Sequence, residues 1–129
     1  MSQSLNSKNP VVDDLALQIQ TENDKLLQIT KEQIGLKTFD STNQKLIKQM
    51  IEGLGDTRGM VRLGFATALG EIGKPATPLL TEALANHSNV VVRRAAAKTL
   101  TIIGDNSAVP SLLHSFLNDT DPVVRSSSA

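Results

Sequence analysis

The chain has 129 residues, 40% of them apolar and 20% charged, which is enough for one domain with a modest core. Thirteen basic and thirteen acidic residues cancel, so no global field draws nucleic acid or an anionic membrane, and neither is an expected partner. Without cysteine there is no disulfide or thiolate chemistry, and three Phe with no Trp or Tyr leave Leu, Ile, Val and Ala to build the core.

In chain order, residues 1–9 are polar, lack the apolar centre of a signal peptide and are expected to be disordered. Residues 10–40 are expected to form a helical N-terminal cap. Val12, Leu15, Ile19, Leu26 and Ile29 mark one stripe, Asp13 and Asp14 fall in the favoured first turn, and "TEND" at Thr21–Asp24 is a candidate break into two helices. A separate partner-binding helix is the alternative to a cap. Residues 41–55 then read as the second helix of a degenerate repeat. Ser41 or Thr42 is its N-cap candidate, Leu46, Ile47, Met50, Ile51 and Leu54 its apolar face, and Gly53 and Gly55 its stop.

From residue 56 the chain repeats itself. "VRLGFATALGEIG" (Val61–Gly73) returns as "VRRAAAKTLTIIG" (Val92–Gly104), and a third copy opens at Val124. Val61, Phe65, Ala68, Leu69 and Ile72 fall on one helical stripe, matched by Val92, Ala96, Thr99, Leu100 and Ile103. Gly73 and Gly104 stop each helix, and Pro78 and Pro110 suit the first turn of the next. The units are 56–86, 87–118 and a partial 119–129, each helix, Gly/Pro turn, helix, polar turn. Neither helix can bury its stripe alone, so the units must stack, giving an all-α solenoid. The third copy breaks off early, so the chain reads as truncated at its C-terminus, with a bare repeat edge open to self-association.

The pattern from Asp56 through Val61-Arg62, "ALGEIG", Pro78 and Leu79-Leu80 resembles the HEAT-repeat signature. Its short unit is similar to the phycobilisome-lyase type of HEAT-like repeat. That resemblance implies a right-handed α-α solenoid in the cytoplasm of a cyanobacterium. It implies a binding scaffold acting on phycobiliproteins, in phycobilisome degradation or in attachment or detachment of bilin chromophores. Two alternatives stand beside it: a generic protein–protein adaptor unrelated to pigments, and a non-autonomous subunit of a phycobilin lyase. No cofactor is required, although a linear tetrapyrrole (phycobilin) is a possible ligand. By the same resemblance, Asp56, Arg62, Asp119 and Arg125 occupy structural positions that bridge neighbouring repeats, while the second unit has His87 or Ser88 at the aspartate position.

The residues themselves offer no active site. His87 and His114 lie in different elements without metal-ligand spacing, the run Ser126–Ser128 has no nucleophile elbow, and "GLGDTRG" lacks the Lys-Ser/Thr of a phosphate loop. No catalytic or metal-binding residue is assigned, and no segment is apolar enough for membrane insertion. Partner contact is expected from non-core residues of the second helices, with Lys45, Lys48 and His114 as candidates beside Gln49, Glu52, Thr81, Glu82 and Ser115. Arg93 and Arg94 join them, because the missing acid of the second unit leaves Arg93 without a local partner. Lys45, Lys48, Arg58 and Arg62 against Glu52 and Asp56 leave a mild positive excess, suited to an acidic protein surface or a bilin propionate.

Overall fold

A computed structural model describes residues 10–129, so the expectation for residues 1–9 lies outside the described residues. The helices are α1 (Pro10–Gly35), α2 (Gln44–Gly53), α3 (Gly59–Ile72), α4 (Thr77–Asn86), α5 (Val90–Ile103), α6 (Val109–Asn118) and α7 (Pro122–Ser127). They form two layers. Helices α1, α3, α5 and α7 stack in the first, α2, α4 and α6 in the second, as an all-α solenoid requires.

The stripes meet between the layers. Phe65, Ala68 and Leu69 of α3 and Val92, Ala96, Leu100 of α5 are buried against Ile47, Met50, Leu80 and Leu84 of the second layer. Thr99 is buried with them, and its hydroxyl donates to the Ala95 carbonyl at 2.8 Å, so that hydroxyl is not stranded. Gly73 and Gly104 end α3 and α5 with φ of 77° and 70°, conformations an L side chain resists. Short 3-10 turns at Lys74–Ala76 and Asn106–Ala108 then lead into α4 and α6, with Pro78 and Pro110 in their first turns. Gly53 ends α2 for a different reason than a stop signal. A Cβ there would overlap the Phe65 ring, so the glycine lets the aromatic side chain lie against the α2 backbone.

Helix α1 departs from expectation twice. It runs unbroken through Thr21–Asp24, where the Thr21 hydroxyl donates to the Leu17 carbonyl at 2.9 Å inside the helix. Of the expected apolar stripe only Leu26 packs against the core, while Val12, Leu15, Ile19 and Ile29 are 51–58% exposed. The packed face instead carries Asn23, Leu27, Thr30 and Ile34, one helical stripe with a polar head. Polar ties set that rotation. The Asn23 amide donates to Asp56 Oδ2 at 3.0 Å, Arg58 pairs with Asp24 at 3.0 Å and also donates to the Gln20 carbonyl at 3.2 Å. Buried Thr30 returns its hydroxyl to the Leu26 carbonyl at 2.8 Å. Through these contacts α1 lies on α3 as α3 lies on α5, in the place of a first-layer helix ahead of α2. Among the described residues no helix is long and apolar enough to cross a membrane.

Candidate functional site

Each passage from a second-layer helix to the next first-layer helix is built alike. Asp56, His87 and Asp119 open the three turns, and each accepts the backbone N–H two residues on, at 2.9, 3.0 and 2.9 Å. His87, not Ser88, therefore holds the aspartate position of its unit. An arginine six residues on donates back to the carbonyl of the opening residue: Arg62 to Asp56 at 2.7 Å, Arg93 to His87 at 2.9 Å, Arg125 to Asp119 at 2.8 Å. Arg62 and Arg125 thus brace the turns of their own units rather than bridging neighbours.

The bridging falls to the acids. Asp119 reaches back to Arg93 at 3.2 Å, with only 8% and 16% of the two side chains exposed. Asp56 reaches back to Asn23 of α1 while also taking the Arg58 guanidinium at 3.0 Å. That contact with Arg58, aided by Asn23 and the Arg58 backbone N–H, holds the Asp56 carboxyl well below the usual carboxylate range against the opposing effect of burial. The expectation for Arg93 and Arg94 is therefore corrected. The acid of one unit serves the arginine of the unit before it, so Arg93 is paired, and the gap at His87 leaves Arg62 without a carboxylate. Arg94 is paired too, with Asp121 at 3.0 Å; with further backbone donors at Val124 and Val123, this lowers Asp121 to about 2. Of the four cations counted in the positive excess, Arg58 is tied to Asp56 and Asp24 away from the second layer.

The second layer carries a groove of linked clefts. One of about 340 Å³ lies between α4 and α6, lined among others by Asn86, His87, Arg93, His114, Asn118 and Thr120. One of about 160 Å³ lies between α2 and α4 and shares Asn86 and His87 with it. A third, of about 420 Å³ between α1 and α2, shares Glu52 with the second. Asn86 and Asn118 are the last residues of two ten-residue helices, so the first two clefts are matching seats of successive units. Lys48 lines the α2/α4 cleft and His114 the α4/α6 cleft, while Lys45 is exposed on α2 outside both. Ser115, expected on the surface, is buried against the core.

Both histidines thus reach one cleft although the sequence sets them in separate elements. Because His87 Nδ1 accepts the Asn89 N–H, its proton is assigned to Nε2, which donates to Glu52 Oε2 at 2.8 Å. Both ring nitrogens are committed to hydrogen bonds, so the pair forms a strut between the turn and α2. His114 Nδ1 faces the Asn118 amide at 3.3 Å. Among the described residues no three His, Cys, Asp or Glu side chains gather as a metal-donor set. Sequence reasoning missed the joint role of His87 and Glu52. The available signal was the register of His87 with Asp56 and Asp119, which marks the turn but not the direction of its side chain.

Comparison with known proteins agrees with this architecture. The family described as HEAT repeats matches residues 43–129. Over 102 residues the chain is 45% identical to the bilin biosynthesis protein MpeU of Synechococcus sp. (strain WH8020), an alignment covering 78% of this chain and 34% of that protein. It is 39% identical over 88 residues to deoxyhypusine hydroxylase of Aspergillus fumigatus, covering 67% and 26%. The same enzyme of Emericella nidulans is 32% identical over 130 residues, covering 95% and 39%. The chain thus spans between a quarter and two fifths of the length of these relatives. No solved structure matches at a significant level. With its arginine-braced turns, glycine stops and two stacked layers, the chain belongs to the HEAT-repeat family.

Proposed function

We propose that the chain is a HEAT-type binding scaffold acting on phycobiliproteins, serving attachment or detachment of their bilin chromophores or turnover of the phycobilisome. The observation that carries this reading is the 45% identity with a bilin biosynthesis protein. The groove supports it chemically. Its lining is mixed, with the Asn86 and Asn118 amides beside the ring faces of His87 and His114. A cleft of about 340 Å³ is at the small end of the ~300–1,000 Å³ usual for small-molecule sites, so it holds part of a linear tetrapyrrole and leaves the rest to the partner protein. The hydroxylase relatives support the repeat framework alone, and no hydroxylation is assigned here.

The test is to mix the purified chain with phycobilisome proteins and follow size-exclusion elution at visible wavelengths. The polypeptide itself absorbs no visible light, so a shifted coloured peak containing it reports a complex. An unshifted coloured peak, with circular dichroism showing a folded chain, overturns the proposal in favour of an adaptor unrelated to pigments. Bilin transfer to an apo-subunit only on addition of a second chain would identify a lyase subunit.

A further inference from the structure

The smaller cleft, between α2 and α4, has the chemistry to select a ligand class. Its floor is apolar, formed by Ile51, Leu79 and Ala83, and its rim carries Lys48, Glu52 and Glu82. At about 160 Å³ it has roughly half the volume of the smallest usual small-molecule sites, so it fits one extended side chain rather than a ring system. Two carboxylates face one ammonium at the rim. The His87 ring lies at one end of the cleft with Nδ1 accepting the Asn89 N–H and Nε2 bonded to Glu52. Among the described residues neither Glu82 nor Lys48 has an ion-pair partner, and Glu52 has only His87.

We infer that this cleft seats a lysine or arginine side chain of a partner polypeptide. The methylene stem lies along Ile51, Leu79 and Ala83, and the cationic head reaches Glu52 and Glu82. The matching cleft between α4 and α6 lacks this combination. His114 replaces Glu82 there, Ser115 replaces Ala83, and the carboxylate of Asp119 is taken by Arg93. The preference therefore belongs to one seat and not to the repeat in general. The inference rests on the second layer being the binding surface, and not on the partner being a phycobiliprotein.

The test titrates the full chain with N-acetyl-lysine-N-methylamide and, separately, with its norleucine analogue, following side-chain methyl resonances by NMR. The lysine probe is expected to shift the methyls of Ile51, Leu79 and Ala83, and to do so less as salt rises. E52Q and E82Q each weaken it about two- to five-fold, as exposed ion pairs do, while K48Q strengthens it by a similar factor. Equal shifts with norleucine, shifts centred elsewhere, or no change in E52Q and E82Q would overturn the inference. Since both glutamates are exposed, these variants are expected to fold, which circular dichroism checks. Failure of the lysine probe beside intact co-elution with phycobiliprotein counts against this seat alone. A working probe without co-elution counts against the phycobiliprotein reading alone.

Discussion

At the scale of single residues, Asp56 carries more than its size suggests. Its side chain is 1% exposed and accepts from Arg58, from the Arg58 backbone and from Asn23 of the neighbouring helix. Replacing it by Ala strands those donors and should cost about 2–3 kcal/mol in denaturant unfolding, as expected for hydrogen bonds to a buried charge. Asp56 and Asp121 also give stability a defined acid limit. Both ionise more readily in the folded state, so their contribution is full above the ordinary carboxylate value of about 4 and is lost as pH falls, through about 2 for Asp121 and lower still for Asp56. Thermal melts should be level above that value and decline below it, with a shallower decline in D56N. His87 offers the converse experiment. In an E52Q background, H87D restores the accepting atom of the turn and gives Arg62 the carboxylate that Arg93 has from Asp119. A gain of up to about 1 kcal/mol is expected. A loss would mean that the strut to Glu52 matters more than the missing acid.

Among the elements, the repeats were the most legible and α1 the least. Apolar spacing, two glycine stops and two prolines placed α3 to α6, because there burial and backbone conformation both point to the same helices. In α1 they point apart. Most of its apolar stripe, Leu26 excepted, faces outward, while Asn23 and Thr30 face the core, held by contacts to residues more than thirty positions away or to the helix's own carbonyls. Such pairing leaves no periodic trace. The same holds for Arg93, whose partner lies 26 residues ahead and belongs to the next unit. For α1 the consequence is measurable. Residues 11–19 are all exposed, so a truncation that starts the chain at Gln20 should change unfolding free energy by less than about 0.5 kcal/mol. Removing residues 1–35 uncovers α3 and deprives Asp56 and Arg58 of partners, so the urea midpoint should fall sharply. Equal effects of the two truncations would show that the exposed half contributes to stability after all.

Across the whole molecule, stability adds along the stack, and each interface between first-layer helices contributes separately. Those interfaces are not fastened alike. Arg58 with Asp24, and Asn23 with Asp56, cross between α1 and the region of α3, while Arg93 with Asp119 and Arg94 with Asp121 join α5 to α7 and its leading turn. Among the described residues no ion pair joins α3 to α5, because His87 stands where an aspartate would and turns to Glu52. That junction is held by apolar packing, which is non-directional. Hydrogen exchange should accordingly find amides of α3 and α5 opening before those of α5 are freed from α7, and H87D in E52Q should slow the former. The middle of the solenoid is thus joined by shape alone, whereas its neighbours on either side are also joined by charge. The same junction sets the spacing of α4 from α6, so the width of the larger cleft is fixed by apolar packing and not by a paired charge.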